Sequence, residues 1–188
     1  MFRLKINKAG CGNECFRSIC LLASKVNLQW KIVLFFVAFI FCGFKVGSAQ
    51  QQFDKSVFYY VMESEDTAAI NTEINIVHSS LLNNKEAYEG ALLMRKAGLV
   101  TMAKIKLKLF KNGLVMLEAA LVADSGNVEF HFLRLSIQEH APRIVKYHGD
   151  IEKDKLFIQK NFKNASPAVQ QAILNYCKNS KVIRAEDF

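Results

Sequence analysis

The chain has 188 residues, with 25 lysines and arginines against 17 aspartates and glutamates, a formal net charge of +8. A balance that basic ordinarily points to nucleic acid. Seven of the basic residues and one acid, Glu14, fall before residue 50, so the remainder carries 18 basic against 16 acidic side chains, a net of +2, and the nucleic-acid reading fails.

Residues 1–49 read as a leader. The uncharged run 32–44, flanked by Lys31 and Lys45, has the length of a signal-peptide core and falls short of the ~18 to 20 residues that a spanning helix needs. Gly47-Ser48-Ala49 supplies small residues at the positions a signal peptidase reads, which predicts cleavage between Ala49 and Gln50. Cys42 follows Phe41 where a lipid-attachment box requires a small residue. The basic stretch ahead of the core is long for a signal, and the spacing of Cys11, Cys15 and Cys20 fits no metal motif, so a start nearer Val26 or Leu28 reads better than a zinc site. Cleavage removes four of the five cysteines and leaves Cys177, so the exported part has no internal disulfide and depends on a packed core. The expected location is periplasmic or secreted, with membrane contact only through an uncleaved signal. Residues 50–188 are of ordinary single-domain size.

Within that domain FDKSVFYYVM is an apolar and aromatic patch without a firm period. Ser64 is placed to cap a helix running to about Ser80, with Ile70, Ile74, Val77 and Leu81 inward and Asn71, Glu73 and Asn75 outward. Asn83-Asn84 marks a turn. Lys85 to Ala97 reads as a helix presenting Ala87, Ala91, Leu92 and Met94, with Gly98 as its C-terminal cap.

Lys104-Ile105-Lys106-Leu107-Lys108-Leu109-Phe110 alternates strictly, and Asn112-Gly113 is a hairpin-turn dipeptide, so a β-hairpin over 104–117 competes with helix. No third strand is available to support such a hairpin. The helical reading therefore divides the region into 103–111 and 114–123, with Gly113 at the junction and the lysines on a solvated face or an anionic-surface patch.

Leu114, Leu117, Leu121 and Val122 recur at three- and four-residue steps, Asp124-Ser125-Gly126-Asn127 breaks the pattern, and a second apolar run follows. In that run Val128, Phe132, Leu135 and Glu139 share one helical stripe, and Phe130, Leu133 and Ile137 an adjacent one. The same residues alternate as a half-buried strand would; the capping Asn127 and the length of the run favour helix, with His131 on its outer face. Pro142 ends it. Asp150 is placed to cap a helix to about Lys163 that buries Ile151, Ile158, Phe162 and the stem of Lys155. Ser166-Pro167 opens the last helix, to Lys178, with Val169 or Ala172, Ile173, Tyr176 and Cys177 inward, and Lys181 to Phe188 reads as a frayed end. The fold class is all-α, a small helical-hairpin array or irregular bundle, with α+β as the alternative if 104–117 is a hairpin.

Over residues 107–134, Gly113 in a helix-opening segment, Ala119-Ala120 at the helix contact and Asp124-x-x-Asn127 before the next helix resemble the helical hairpins of tetratricopeptide-type repeats. Those repeats usually carry proline after the aspartate, where this chain has Ser125, and no second copy follows at their period. The whole chain is also similar to small exported helical proteins of bacteria, a resemblance that carries no activity across.

Candidate chemistry is sparse. His78, His131, His140 and His148 contain no helical i, i+4 pair and no HExxH. His140, His148 and Asp150 can share a site because Pro142 bends the chain between them. Asp150-x-Glu152-x-Asp154 lacks the glycine and the distal glutamate of a calcium loop, with Lys155 and Asn161 there instead, and reads as helix-start acids facing the dipole. There is no GxSxG, no phosphate-cradling glycine loop and no cysteine–histidine nucleophile pairing. Arg134, alone among Phe132, Leu133 and Leu135, calls for a carboxylate, with Glu118 and Asp124 in reach. Arg134, His140, His148 and Asp150 are thus the candidate binding residues; no catalytic residue, metal ligand or cofactor is implied. The resulting expectation is an exported non-enzymatic binding or adaptor protein of the bacterial envelope, partnered by another envelope protein. The alternatives are a hydrolase or metal-dependent enzyme using the His140–Asp154 bend, and a structural envelope component.

Overall fold

The computed structural model describes residues 52–188; the expected leader, its apolar core at 32–44 and the Ala49/Gln50 cleavage position lie outside the described residues. The described part is all-α: α1 (Lys55–Glu63), α2 (Thr67–Ser79), α3 (Lys85–Leu99), α4 (Ala103–Ala123), α5 (Val128–His140), α6 (Ile151–Asn161) and α7 (Pro167–Tyr176), with short 3-10 turns at Arg143–Val145, Phe162–Asn164 and Ala185–Asp187. Among the described residues there is no strand, and no helix is long and apolar enough to cross a membrane.

α5 is the centre. Ten of its 13 residues are buried, so it is covered around most of its circumference instead of along one stripe. Asn127 starts it as the sequence indicates, its side-chain oxygen accepting from the Glu129 N–H at 3.1 Å. α6, α3 and α4 pack on it, and α3 and α4 make the most extensive helix–helix contact of the fold. The hairpin neighbours α4 and α5 thus each pack mainly against another helix.

The lysine-rich alternation lies in helix. α4 runs unbroken for 21 residues through Asn112 and Gly113, and neither the β-hairpin nor a break at Gly113 forms. The stripe Phe110, Gly113, Leu117, Ala120 and Leu121 has the three-to-four spacing of a helix face and is the buried side. It outweighs the seven-residue alternation because it continues for three turns against α3. Gly113 serves contact instead of turning: a Cβ there would collide with the Gly90 carbonyl oxygen, and a Cβ on Gly90 would sit 2.7 Å from the Gly113 oxygen. The two backbones cross at the one place where neither helix has a side chain.

Several boundaries differ from expectation. Ser64 closes α1 instead of opening α2, its hydroxyl donating back to the Val61 carbonyl at 2.9 Å, and Asp66 caps α2 by accepting from the Ala68 N–H at 2.7 Å. Glu73, on the same face as buried Ile70 and Val77, is buried instead of outward, and Leu81, beyond the helix end, is fully exposed. Gly98 is helical and α3 ends after Leu99, with extended Val100 as its cap. Asp150 precedes α6 but makes no capping bond, and α6 and α7 end earlier than their patterns suggest. Tyr176 and Cys177 are only half-buried. The C-terminal end is packed, not frayed: Ile183 is wholly buried and the Phe188 ring lies 4.7 Å from Phe162. Glu139 holds this end by accepting from the Ser180 hydroxyl at 2.7 Å and the Lys181 N–H at 2.6 Å.

Candidate functional site

The two sides of α5 face different environments. On one side the helical step of three places His131 and Arg134 together, and both reach Asp154 in the first turn of α6. Arg134 grips Asp154 with two parallel bonds, Nε to Oδ2 and Nη2 to Oδ1, both 2.7 Å. His131 Nδ1 lies 2.6 Å from Oδ1. Its Nε2 donates to the Ser125 carbonyl at 2.9 Å, and its ring stacks on Phe157 at 4.0 Å. Arg134 Nη1 donates to Glu118 on α4 at 3.0 Å and lies 3.7 Å from Asp150, while the Tyr147 hydroxyl donates to the other Glu118 oxygen at 2.5 Å.

Asp154 has no exposed surface. Burial pushes its pKa up, but the hydrogen bonds from Arg134 and His131 and the Arg134 charge outweigh that and hold it below the ordinary aspartate value. Burial works against the Arg134 charge, and Asp154, Glu118 and Asp150 together keep its pKa above normal. Burial first, and then Glu118, raises the Tyr147 phenol. At the start of α5 a second cluster repeats the logic: buried Glu129 accepts from the Tyr59 and Tyr88 hydroxyls, each at 2.9 Å, and from Lys55 Nζ at 2.5 Å. Burial, and then the Glu129 charge, raises both phenols.

Chemically, these clusters are closed. The His131–Asp154 pair has the composition of an acid–base dyad, but its outer nitrogen is already bonded to a backbone carbonyl and its ring is 5 % exposed. Among the described residues no hydroxyl or thiol is bonded to it. The first cluster fixes α4, α5 and α6 on one another and the second ties α1 and α3 to α5, because removing one partner strands a charge in the interior.

The other side of α5 opens onto a cleft of about 1290 Å³ between α1, α3, α4, α5, α7 and the 3-10 turn after Pro142. Its walls are apolar, among them Met62, Met94, Leu114, Phe132 and Ile137, and its exposed lips include Leu107 and Ile144, 48 % and 88 % exposed. Four cations, Arg95, Lys106, Lys111 and Lys178, line it, with Glu63 as the one carboxylate.

No family model, curated protein or solved structure matches this chain.

The four sequence-derived candidates are divided between these regions. Arg134 and Asp150 belong to the ionic cluster. Glu118 pairs with Arg134 as anticipated; Asp124 does not, since it accepts from the Asn127 side chain at 2.9 Å. His140 lines the cleft, its Nδ1 bonded to the Ser136 carbonyl at 2.9 Å and close to the Tyr176 hydroxyl, whereas His148 donates to the Ala141 carbonyl at 2.9 Å. His140, His148 and Asp150 therefore keep separate partners. Among the described residues no group of three or more His, Cys, Asp and Glu is placed to hold a metal ion. His131 is buried, not outward, because Asp154, which reads in sequence only as a helix-start acid, is the principal partner of the cluster. The i, i+3 step from His131 to Arg134 was the available signal for that side. The cleft had none, since its walls come from five separate helices.

Proposed function

We propose that this is an exported, non-enzymatic binding protein that receives an apolar guest in the cleft beside α5. The observation that carries this reading is the cleft itself: it exceeds the ~300 to 1,000 Å³ usual for a small-ligand pocket and has the mostly apolar wall typical of such sites. The titratable groups that converge on one point, Arg134, Asp154, His131 and Glu118, are bonded to one another on the opposite side of the helix. An enzyme working at the 140–154 bend would need them turned toward a substrate. The sequence leads to an adaptor for another envelope protein; the cleft favours a small guest as the primary ligand.

A neutral, environment-sensitive dye tests the reading. It should bind the purified protein saturably at one site. Gly98 lines the cleft, and a Cβ added to it meets nothing within 4 Å, so Gly98→Trp starts a large side chain at the cleft wall from an unobstructed position. That variant should weaken dye binding about tenfold or more, ~1.4 kcal/mol, with an unchanged melting midpoint. Dye that does not saturate, or binds both proteins equally, would overturn the reading.

A further inference from the structure

Cations elsewhere in the interior are matched to carboxylates: Lys55 to Glu129, and Arg134 to Asp154 and Glu118. Of the four that line the cleft, Arg95 and Lys106 are half-buried, and Lys111 and Lys178 are exposed. Among the described residues no carboxylate lies within ion-pair distance of Arg95, Lys106, Lys111 or Lys178. Arg95 is the most constrained of them. Its Nη2 donates to the carbonyls of Ser64 at 2.8 Å and Glu63 at 3.3 Å, at the end of α1, which fixes the plane of the guanidinium. Its Nε is buried without a partner, and Nη1 donates to nothing among the described residues. A half-buried guanidinium held by two carbonyls retains its full charge and part of its donor fork.

We infer that the cleft takes a fatty acid, its tail along the apolar walls of α4 and α5 and its carboxylate drawn to Arg95 and the lysines Lys106 and Lys111. The proposal rests on the binding reading above and adds the chemical class of the guest. Three features converge on it. The cleft volume is larger than a compact drug-sized molecule requires. The cations outnumber the one acid, Glu63, so the site carries a net positive field that favours an anionic guest and disfavours a cationic one. Finally, the lining is apolar as well as basic at its exposed positions, Leu107 and Ile144 belonging to the same cleft as Lys106 and Lys111, a composition that suits an amphiphile.

Displacement of the neutral dye by three amphiphiles of one chain length decides the matter: dodecanoate, dodecanol and dodecyltrimethylammonium, each kept below its micelle threshold. Dodecanoate should displace the dye at a concentration about tenfold lower than dodecanol, with the ammonium amphiphile weakest, and the advantage should shrink as salt screens the rim. Arg95→Gln should remove most of the preference and Arg95→Lys restore part of it. Should Arg95→Gln disturb the end of α1, the variant Lys106→Gln/Lys111→Gln decides instead and should lower the preference of dodecanoate over dodecanol, each measured against dye bound to that same variant. Dye that binds and is displaced equally by all three amphiphiles overturns the fatty-acid proposal and leaves the binding reading standing. So does a preference that survives both charge variants. Failure of the dye to bind removes the reading beneath it. Binding to phosphatidylglycerol vesicles with no displacement by dodecanoate would mean that a membrane surface is the partner, and would equally overturn the proposal.

Discussion

The side of α5 that carries His131 and Arg134 and the side that carries Phe132, Ser136 and Ile137 are built on opposite principles. On the first, Arg134, His131, Asp154 and Glu118 are bonded to one another, while the Gln138 amide, one turn further on, is buried without a partner among the described residues. On the second, the walls are apolar, the space is open, and the cations have no ion-pair partner among the described residues. One helix therefore separates an ionic network that ties helices together from a cleft that is left open. Saturated polar networks resist change because each removal strands a buried partner. An apolar cleft tolerates substitution at its lips, because an exposed side chain contributes little to the folded state. Substitutions on the two sides should differ accordingly in what they cost.

The largest effect is expected at Asp154. Asp154→Ala leaves Arg134 and His131 facing a gap, and should destabilise by about 3 to 5 kcal/mol in chemical denaturation. Arg134→Ala should cost a similar amount and Arg134→Lys less, since an ammonium cannot form both parallel bonds. Loss of dye binding in a folded Asp154→Ala variant would show that the two sides are coupled instead of separate. Acid gives the same contrast without mutation. The folded pKa of Asp154 is depressed, and so is that of Glu139, where the Ser180, Lys181 and Tyr176 hydrogen bonds outweigh burial. Their stabilisation is complete above the ordinary carboxylate pKa of about 4 and is lost as pH falls through the lower folded values. Denaturation midpoints measured across that interval should decline with acid, and Asp154→Ala should flatten the decline.

A smaller loss is expected at the α3–α4 crossing, where Gly113→Ala places a methyl group against the Gly90 carbonyl and should cost about 1 to 3 kcal/mol by thermal unfolding. The smallest is at the cleft lip. Leu107→Ser should change stability by under ~0.5 kcal/mol yet weaken dye binding. A large stability loss there would mean that Leu107 belongs to the core and that the lip is misassigned.

What the sequence disclosed follows the range of the interactions involved. Asn127 capping α5 and Pro167 opening α7 are local events between near neighbours, and both are visible in the residue order. The helical identity of Leu114 to Glu139 was legible for the same reason, from three-four spacing. The lysine alternation of α4 could mislead because a seven-residue window does not contain α3, whose contact decides the matter. Asp154 lies 20 residues from Arg134, and no local pattern links them. The end at Ile183 and Phe188 looked frayed because its partners, Glu139 and Phe162, are remote in the chain. Glu73 was misplaced because its charge reads as outward although it shares the face of Ile70 and Val77, and Leu81 because the helix ends at Ser79, before reaching it.

The most direct test uses methionine methyl groups as reporters. Met62 and Met94 line the cleft, whereas Met116 lies on α4 outside it. With the methionine methyls isotopically labelled, titration with dodecanol should shift the Met62 and Met94 resonances together along one saturating curve and leave Met116 in place. Absence of shifts at Met62 and Met94, or equal movement of all three, would contradict a guest seated between α1, α3 and α5.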